Sequence, residues 1–230
     1  MAQSANPGKK ITIMLNGITY ARYPIKTHLV SKTDNLFSVL DTYVTKELQK
    51  KDILVVSERI VAIMEGRSYL LSEITPGFWA KFLYRFVITH PGGIGLKNPH
   101  TMQLALQEAG LLRILLASFI AVVTKPFGVK GYFYTIAGHN INAIDGPCDY
   151  TLPPGNKSAK LGPKDPQKTA EEVARHFDCK AVIIDANDYG VRVMGYSHGI
   201  DPKFIEKIFA DNPLGQTNEQ TPLAIIRALA

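Results

Sequence analysis

Hydrophobic positions along this chain change period several times, and each change predicts an element. Lys10-Ile11-Thr12-Ile13-Met14-Leu15 alternates as a strand does, after a polar, flexible leader over residues 1–9. Tyr20 to Thr27, with Pro24 inside it, reads as a linker. Leu36, Val39, Leu40, Tyr43, Val44 and Leu48 recur at helical spacing, with Asp34 or Asn35 placed to cap. Asp52 to Ser57 is a short buried strand. Pro76 suits the first turn of a helix through Trp79, Leu83 and Phe86, and His90-Pro91-Gly92-Gly93-Ile94-Gly95 breaks the chain into a loop. Helices near Met102–Glu108 and Leu111–Val123 then precede a strand from Gly131 to Ile136.

In the second half, Pro153 to Lys168 is rich in Pro, Gly and Lys and predicts a long surface loop. Thr169 and Glu172 form a capping box for a helix through Val173 and Phe177. The run Lys180–Ile184 predicts a strand that empties into Asp185-Ala186-Asn187-Asp188-Tyr189-Gly190. A strand at Val191–Met194, a helix from Asp201 to Phe209 and an apolar segment Leu223–Ile226 complete the pattern. The order predicts an α+β protein with mixed sheets and packed helices, folded over residues 10–230 as a single globular unit, whole or as two intertwined subdomains.

With 230 residues, 46% of them hydrophobic, the chain can bury a proper core. Its net charge of +6 and pI near 9.2 suit an anionic ligand: a nucleotide, a polyglutamate or RNA. The leader has no apolar stretch before its lysines, so no secretory signal is read and a cytoplasmic location is expected. The longest apolar tract, Leu111–Val123, contains Arg113 and is too short to span a bilayer. It is expected as a buried helix, and no membrane partner is expected. Cys148 and Cys179 have no CxxC spacing and read as structural thiols.

Several chemistries are excluded by spacing. Gly162-Pro163-Lys164-Asp165-Pro166-Gln167-Lys168-Thr169 ends like a phosphate-binding loop, but Gln167 stands where a glycine is needed and two prolines remove amides. The His90–Gly95 loop lacks a following Lys-Ser/Thr. Lys157, Lys160, Lys164 and Lys168 make a basic loop, either solvated or facing phosphate, without the interleaved aromatics that stack RNA bases. The histidines show no zinc spacing, and Ser57 has Glu58 beside it but no nucleophile elbow. What remains is an oxygen-rich set, Asn140, Asn142, Asp145, Asp185, Asn187 and Asp188, at the exits of two predicted strands. These residues are turn formers or ligands for magnesium or manganese. Lys26, Arg59 and Arg67 are candidate phosphate-binding cations.

Several blocks together resemble the coenzyme F-420-0:γ-glutamyl ligase family. Asp52-Ile53-Leu54-Val55-Val56-Ser57-Glu58-Arg59-Ile60-Val61, followed by Glu65-Gly66-Arg67, looks like that family's Asp-Ile-Leu-Val-Val-Thr-Ser-Lys-Ile-Val with its downstream Glu-Gly-Arg. Leu71-Ser72-Glu73-Ile74-Thr75-Pro76 continues the match, and Leu161 to Ala170 is similar to Leu-Leu-Pro-x-Asp-Pro-x-x-Ser-Ala. The resemblance implies the family's α+β fold and a homodimer. It implies addition of L-glutamate through a γ-glutamyl linkage to a carboxylate acceptor, with GTP or ATP as co-substrate, Mg2+ or Mn2+, and an acyl phosphate. The implied roles are catalytic for Asp185 and Asp188, nucleotide or phosphate binding for Lys26, Ser57, Arg59 and Arg67, and substrate binding for Asn142 and Asp145. Metal binding is implied for Asn140, Asp185, Asn187 and Asp188. The family's Ala-Gly-x-Asp-x-Ser-Asn falls on Ala137 to Ala143, placing Asn140 where it has aspartate. Its Asp-Thr-x-Gly falls on Asn187 to Gly190. An amide in place of a carboxylate weakens the hold on a divalent ion. The alternative is therefore a non-catalytic nucleotide- or cofactor-binding protein of the same fold.

Overall fold

An unbroken apolar run is most stable in the middle of a sheet, where both faces are covered. The six-stranded sheet of this chain runs β1 (Thr12–Leu15), β2 (Ile18–Ile25), β8 (Leu223–Leu229), β3 (Ile53–Ser57), β6 (Lys180–Asn187), β7 (Gly190–Tyr196). β3 and β6 are parallel, and every other neighbouring pair is antiparallel. Alternate residues cover opposite faces. Leu54, Val56, Ala181, Ile183, Leu223 and Ile225 pack with α1 (Leu36–Tyr43), α2 (Glu58–Met64) and α7 (Pro166–Phe177). Val55, Val182, Ile184, Ala224 and Ile226 pack with Ile205 and Ile208 of α8 (Pro202–Ile208).

The computed structural model describes residues 4–87, 95–124, 126, 128, 131–138, 140–149 and 151–229. It divides into two units, Met1–Glu65 with Asp165–Ala230, and Gly66–Lys164. The first contains the six-stranded sheet. Its strand β2 occupies the segment expected as a linker, with Pro24 opposite Ala224, and Arg22 explains why it is fixed. That side chain is buried, donates to the carbonyls of Ile208 (2.7 Å) and Lys10 (2.6 Å), and pairs with Asp211. The leader is held too: Asn6 Nδ2 donates to Pro213 O (2.9 Å) and Thr221 Oγ1 (2.7 Å). Helix α7 starts earlier than the expected Thr169–Glu172 box. Asp165 caps it, accepting from the Lys168 amide at 2.9 Å, and Pro166 fills a first-turn position that needs no N–H.

In the second unit, β4 (Ser68–Leu70) pairs antiparallel with β5 (Ser158–Lys160), and four helices surround a core of Ile74, Leu83, Leu96, Met102, Ile114 and Leu161. They are α3 (Phe78–Leu83), α4 (Pro99–Ala109), α5 (Leu111–Thr124) and α6 (Tyr132–Ala137). Three expectations change here. The Gly131–Ile136 strand is α6, because packing along α5 overrides the β propensity of its aromatic residues. The Pro153–Lys168 loop contains β5, buried at all three residues, and Lys160 is no solvated loop lysine. Helix α5 exists but buries only Ile114 and Ala117, leaving Leu112, Leu116, Phe119, Val122 and Val123 exposed. No single described helix is long and apolar enough to cross a membrane. The pair α4 and α5 reaches that length only across a bend of 111°. The expected His90–Gly95 loop lies, apart from Gly95, outside the described residues, as does His139.

Candidate functional site

In the second unit, a buried arginine and a buried lysine organise the predicted substrate residues. Arg67 directly follows Gly66, whose φ of +72° suits glycine, and its Nε donates to Gly162 O at 2.6 Å. Its Nη2 donates to Glu108 Oε1 at 2.7 Å. Gly162 has to be glycine for a different reason: a Cβ there would lie 2.8 Å from Ala143 Cβ and 3.2 Å from Asn140 Cβ. Asn140, at φ +55°, donates from Nδ2 to Pro163 O at 3.1 Å, so Arg67 and Asn140 grip successive carbonyls of one loop. Next to it, Asp145 and Lys160 exchange both backbone hydrogen bonds, at 3.0 and 2.9 Å. Their side chains meet again, Lys160 Nζ to Asp145 Oδ2 at 3.2 Å, and the ammonium donates to Ala143 O at 3.2 Å. The lysine side chain is 5% exposed and the carboxylate 45%, so a buried cation backs an accessible anion. Asn142, between them on a 3₁₀ turn, faces solvent.

In the first unit, the carboxyl ends of the parallel strands β3 and β6 bring Ser57 level with Ile184, one residue before Asp185. Strand ends of this kind are where ligands of α/β sheets bind. Ser57 caps α2, its Oγ accepting from the Arg59 amide at 3.3 Å, and Glu58 beside it is 3% exposed, a buried carboxylate that only the strand–helix junction reveals. Asp185 faces Arg192 across the β6–β7 ladder. The stretch after it is a tight hairpin turn, Asn187 pairing with Gly190 and Asn187 Oδ1 accepting from the Tyr189 amide at 2.9 Å. Asp188 is held at the tip by Lys9 Nζ (2.8 Å) and Asn212 Nδ2 (3.2 Å). The Lys9 hydrogen bond holds its carboxyl below the usual range. Lys26 is exposed just beyond β2.

Among the described residues, no three His, Cys, Asp or Glu side chains converge as they would to hold a metal. The candidate metal ligands are two carboxylates, Asp185 and Asp188, and two amides, Asn140 and Asn187, a set poor in charge for a cage built by protein alone. Magnesium commonly reaches protein through one or two carboxylates and otherwise through phosphate oxygens, which needs no such cage. A cleft of the first unit, about 230 Å³, is lined by Asp34, Glu65 and Glu172 over Leu36, Phe37, Val61 and Met64. Three carboxylates there repel phosphate, and none of the candidate residues lines it. Burial pushes the Cys179 thiol up to about 11, which keeps it protonated at neutral pH and removes it as a nucleophile.

The chain belongs to the F420-0:gamma-glutamyl ligase family, whose model matches residues 24–197. That is a family of ligases that form C–N bonds, and the mixed α+β fold is consistent with it. An uncharacterised protein of Methanocaldococcus jannaschii is 23% identical over 203 residues, covering 82% of this chain. The chain spans 65% of the length of that curated relative.

Proposed function

We propose that this chain joins the amine of L-glutamate to a carboxylate of an acceptor such as coenzyme F-420-0 or a related cofactor, through a γ-glutamyl linkage, at the expense of GTP or ATP. The acceptor carboxylate attacks the terminal phosphorus and the nucleoside diphosphate leaves. The glutamate amine then attacks the acyl carbon, phosphate departs, and the amine gives up its proton. The path needs no protein nucleophile, in keeping with a Ser57 hydroxyl used as a helix cap and a protonated Cys179. In this reading Lys26, Ser57 and Arg59 meet phosphate, and Asn142 and Asp145 meet acceptor or glutamate. Asp185 and Asp188 are the catalytic carboxylates, and they, Asn187 and, in the other unit, Asn140 are the oxygens offered to Mg2+ or Mn2+. That ion, when bound, would neutralise phosphate charge. Arg67, expected from the resemblance at phosphate, is buried against Gly162 O and Glu108 and in this reading positions that loop instead, and Lys160 joins the set as the cation behind Asp145. A homodimer belongs to the same proposal.

The observation that carries the reading is the family match over residues 24–197, a range that includes every residue just named. The test is incubation with GTP or ATP, manganese, glutamate and coenzyme F-420-0, with added glutamyl units read by mass spectrometry. Absence of nucleotide uptake in calorimetry, with and without metal, would sink it. A second reading, a non-catalytic nucleotide- or cofactor-binding protein, is favoured by one observation: Asn187 Oδ1 and Asp188 Oδ1, oxygens that a metal ion would need, already accept hydrogen bonds within the chain. It expects ligand affinity that ignores EDTA and survives Asp188→Ala.

A further inference from the structure

In the sheet unit, one histidine joins a phenol of α1 to a carboxylate of the loop before it. His28 Nδ1 lies 3.0 Å from Tyr43 Oη, and Nε2 of the same ring lies 3.3 Å from Asp34 Oδ2. The carboxylate is itself fixed, accepting from the Ser31 amide at 2.7 Å and the Ser31 hydroxyl at 3.0 Å. That amide bond holds the Asp34 carboxyl below the usual range, so at neutral pH the group is ionised and can only accept. The imidazole therefore carries its proton on Nε2, and in the neutral ring Nδ1 presents a lone pair to the phenol. The His28 amide also donates to Tyr43 Oη, at 3.1 Å. The phenol's own hydrogen is thus directed to Nδ1, and a fixed N–H faces the oxygen that becomes negative when that proton leaves.

A nucleophile within hydrogen-bond reach of a base, with the base oriented by a third group, is the arrangement that activates side chains for covalent chemistry, phenols among them. Fastening the loop to α1 needs only the amide contact, and the ring adds the base. Tyr43 is half-buried, its ring against the core of the sheet unit, while the His28 side chain is 45% exposed and opens the pair to solvent. The surroundings select the electrophile. Asp34 is shared with the cleft of about 230 Å³ that Glu65 and Glu172 also line, and these carboxylates disfavour phosphoryl and other anionic donors. The floor of that cleft, Leu36, Phe37, Val61 and Met64, suits an apolar acyl group. We propose that Tyr43 is a base-assisted nucleophile that takes an acyl group from a neutral, activated carboxylic ester. Its oxygen bonds to the acyl carbon, and the C–O bond of the ester breaks with its electron pair on the leaving oxygen. The phenol proton passes through His28 Nδ1 to that oxygen or to water, and the product is an aryl ester on Tyr43.

The test treats the full chain with p-nitrophenyl acetate and locates acetyl groups by peptide mass spectrometry. Tyr189, 60% exposed on the β6–β7 turn, is the reference phenol in the same sample. Tyr43 is expected to acetylate about a hundredfold faster than Tyr189 despite its lower exposure. His28→Gln keeps the amide donor and a polar side chain but removes the base, and should slow Tyr43 about a hundredfold. Asp34→Asn still accepts from Ser31 and leaves the ring without its anion, so a smaller loss is expected. Equal rates at Tyr43 and Tyr189 in the unaltered chain would overturn the proposal. So would a His28→Gln chain that labels Tyr43 at the original rate. The inference does not rest on the ligase reading, since ester acylation uses no nucleotide, metal or glutamate and is read separately from glutamyl transfer.

Discussion

Sixteen basic and sixteen acidic residues balance in the sheet unit, while Gly66–Lys164 carries ten against four. The apolar side chains divide just as unevenly. Both faces of the six-stranded sheet have helices on them, whereas the second unit leaves the α3 aromatics and one side of α5 in solvent. A parallel pair such as β3 and β6 demands cover on both faces, and the alternating Leu54, Val55, Val56 and Ala181, Val182, Ile183 obtain it within the unit. Helices need only one apolar stripe buried, and α5 buries Ile114 and Ala117, packs Leu115 beside them, and leaves Leu112, Leu116, Phe119, Val122 and Val123 exposed. The sheet unit is built around its own interior. The helical unit leaves part of its apolar surface uncovered, and substitutions should separate the two.

The largest loss of stability is expected in the sheet unit, from Asp52→Ala. Asp52 is 2% exposed and accepts from Arg227 Nε at 2.9 Å and Nη2 at 2.6 Å, a pairing that holds the Arg227 guanidinium above its ordinary value. Removing one partner of such a pair should cost about 4 kcal/mol in urea unfolding. Next is Gly195→Ala. A Cβ at Gly195 would lie 2.1 Å from Pro166 O, and neither backbone can yield without separating β7 from α7, so about 3 kcal/mol is expected. Retention of wild-type midpoints by either variant would show that the sheet unit is less tightly determined than its packing implies.

How far the sequence discloses this comparison depends on the range of the interaction. The strands β3 and β6 were readable because β-branched runs act locally, the cap of α1 was narrowed to Asp34 or Asn35, and β8 showed only as an apolar segment. β2 was hidden by Pro24, and what fixes it, Arg22 reaching Ile208 and Asp211, is more than 180 residues away in sequence. The α6 helix and the exposed side of α5 depend on which helices pack together, which periodicity does not encode. At the site, the motif blocks pointed to Arg67 and Asn140 and the oxygen-rich set to Asp145, but nothing local distinguished Lys160 from its neighbours Lys157 and Lys164. Its burial comes from a ladder to Asp145.

In the helical unit the expected effects on stability are smaller and those on chemistry larger. Gly162→Ala puts a methyl 2.8 Å from Ala143 Cβ and 3.2 Å from Asn140 Cβ, atoms that yield only with their backbone, for about 2 kcal/mol, and should reduce glutamyl transfer because it moves Asn140. Lys160→Met should change stability by less than about 1 kcal/mol, since Asp145 can hydrate and an apolar side chain replaces a buried ion. If the ligase reading holds, the same variant abolishes product. Normal turnover by Lys160→Met would remove Lys160 from the reaction while leaving the family assignment intact.

The smallest expected effect lies at the hairpin tip where the two candidate roles of Asp188 meet. Its carboxyl titrates below the ordinary value because Lys9 bonds the charged form, so the contribution is present above the unfolded value and is lost as pH falls through the folded one. Asp188 is 51% exposed, which limits the pair to about 0.5 kcal/mol. Asp188→Asn should therefore leave unfolding at pH 7 nearly unchanged and flatten a small acid-side loss below the ordinary carboxylate range. A metal or catalytic role adds a second signature: the variant would lose manganese-dependent nucleotide binding or turnover while its stability stays put. If affinity and turnover are equally unmoved, Asp188 is a turn residue tied to Lys9, and Asp185, opposite Arg192, is left as the carboxylate on which that corner depends.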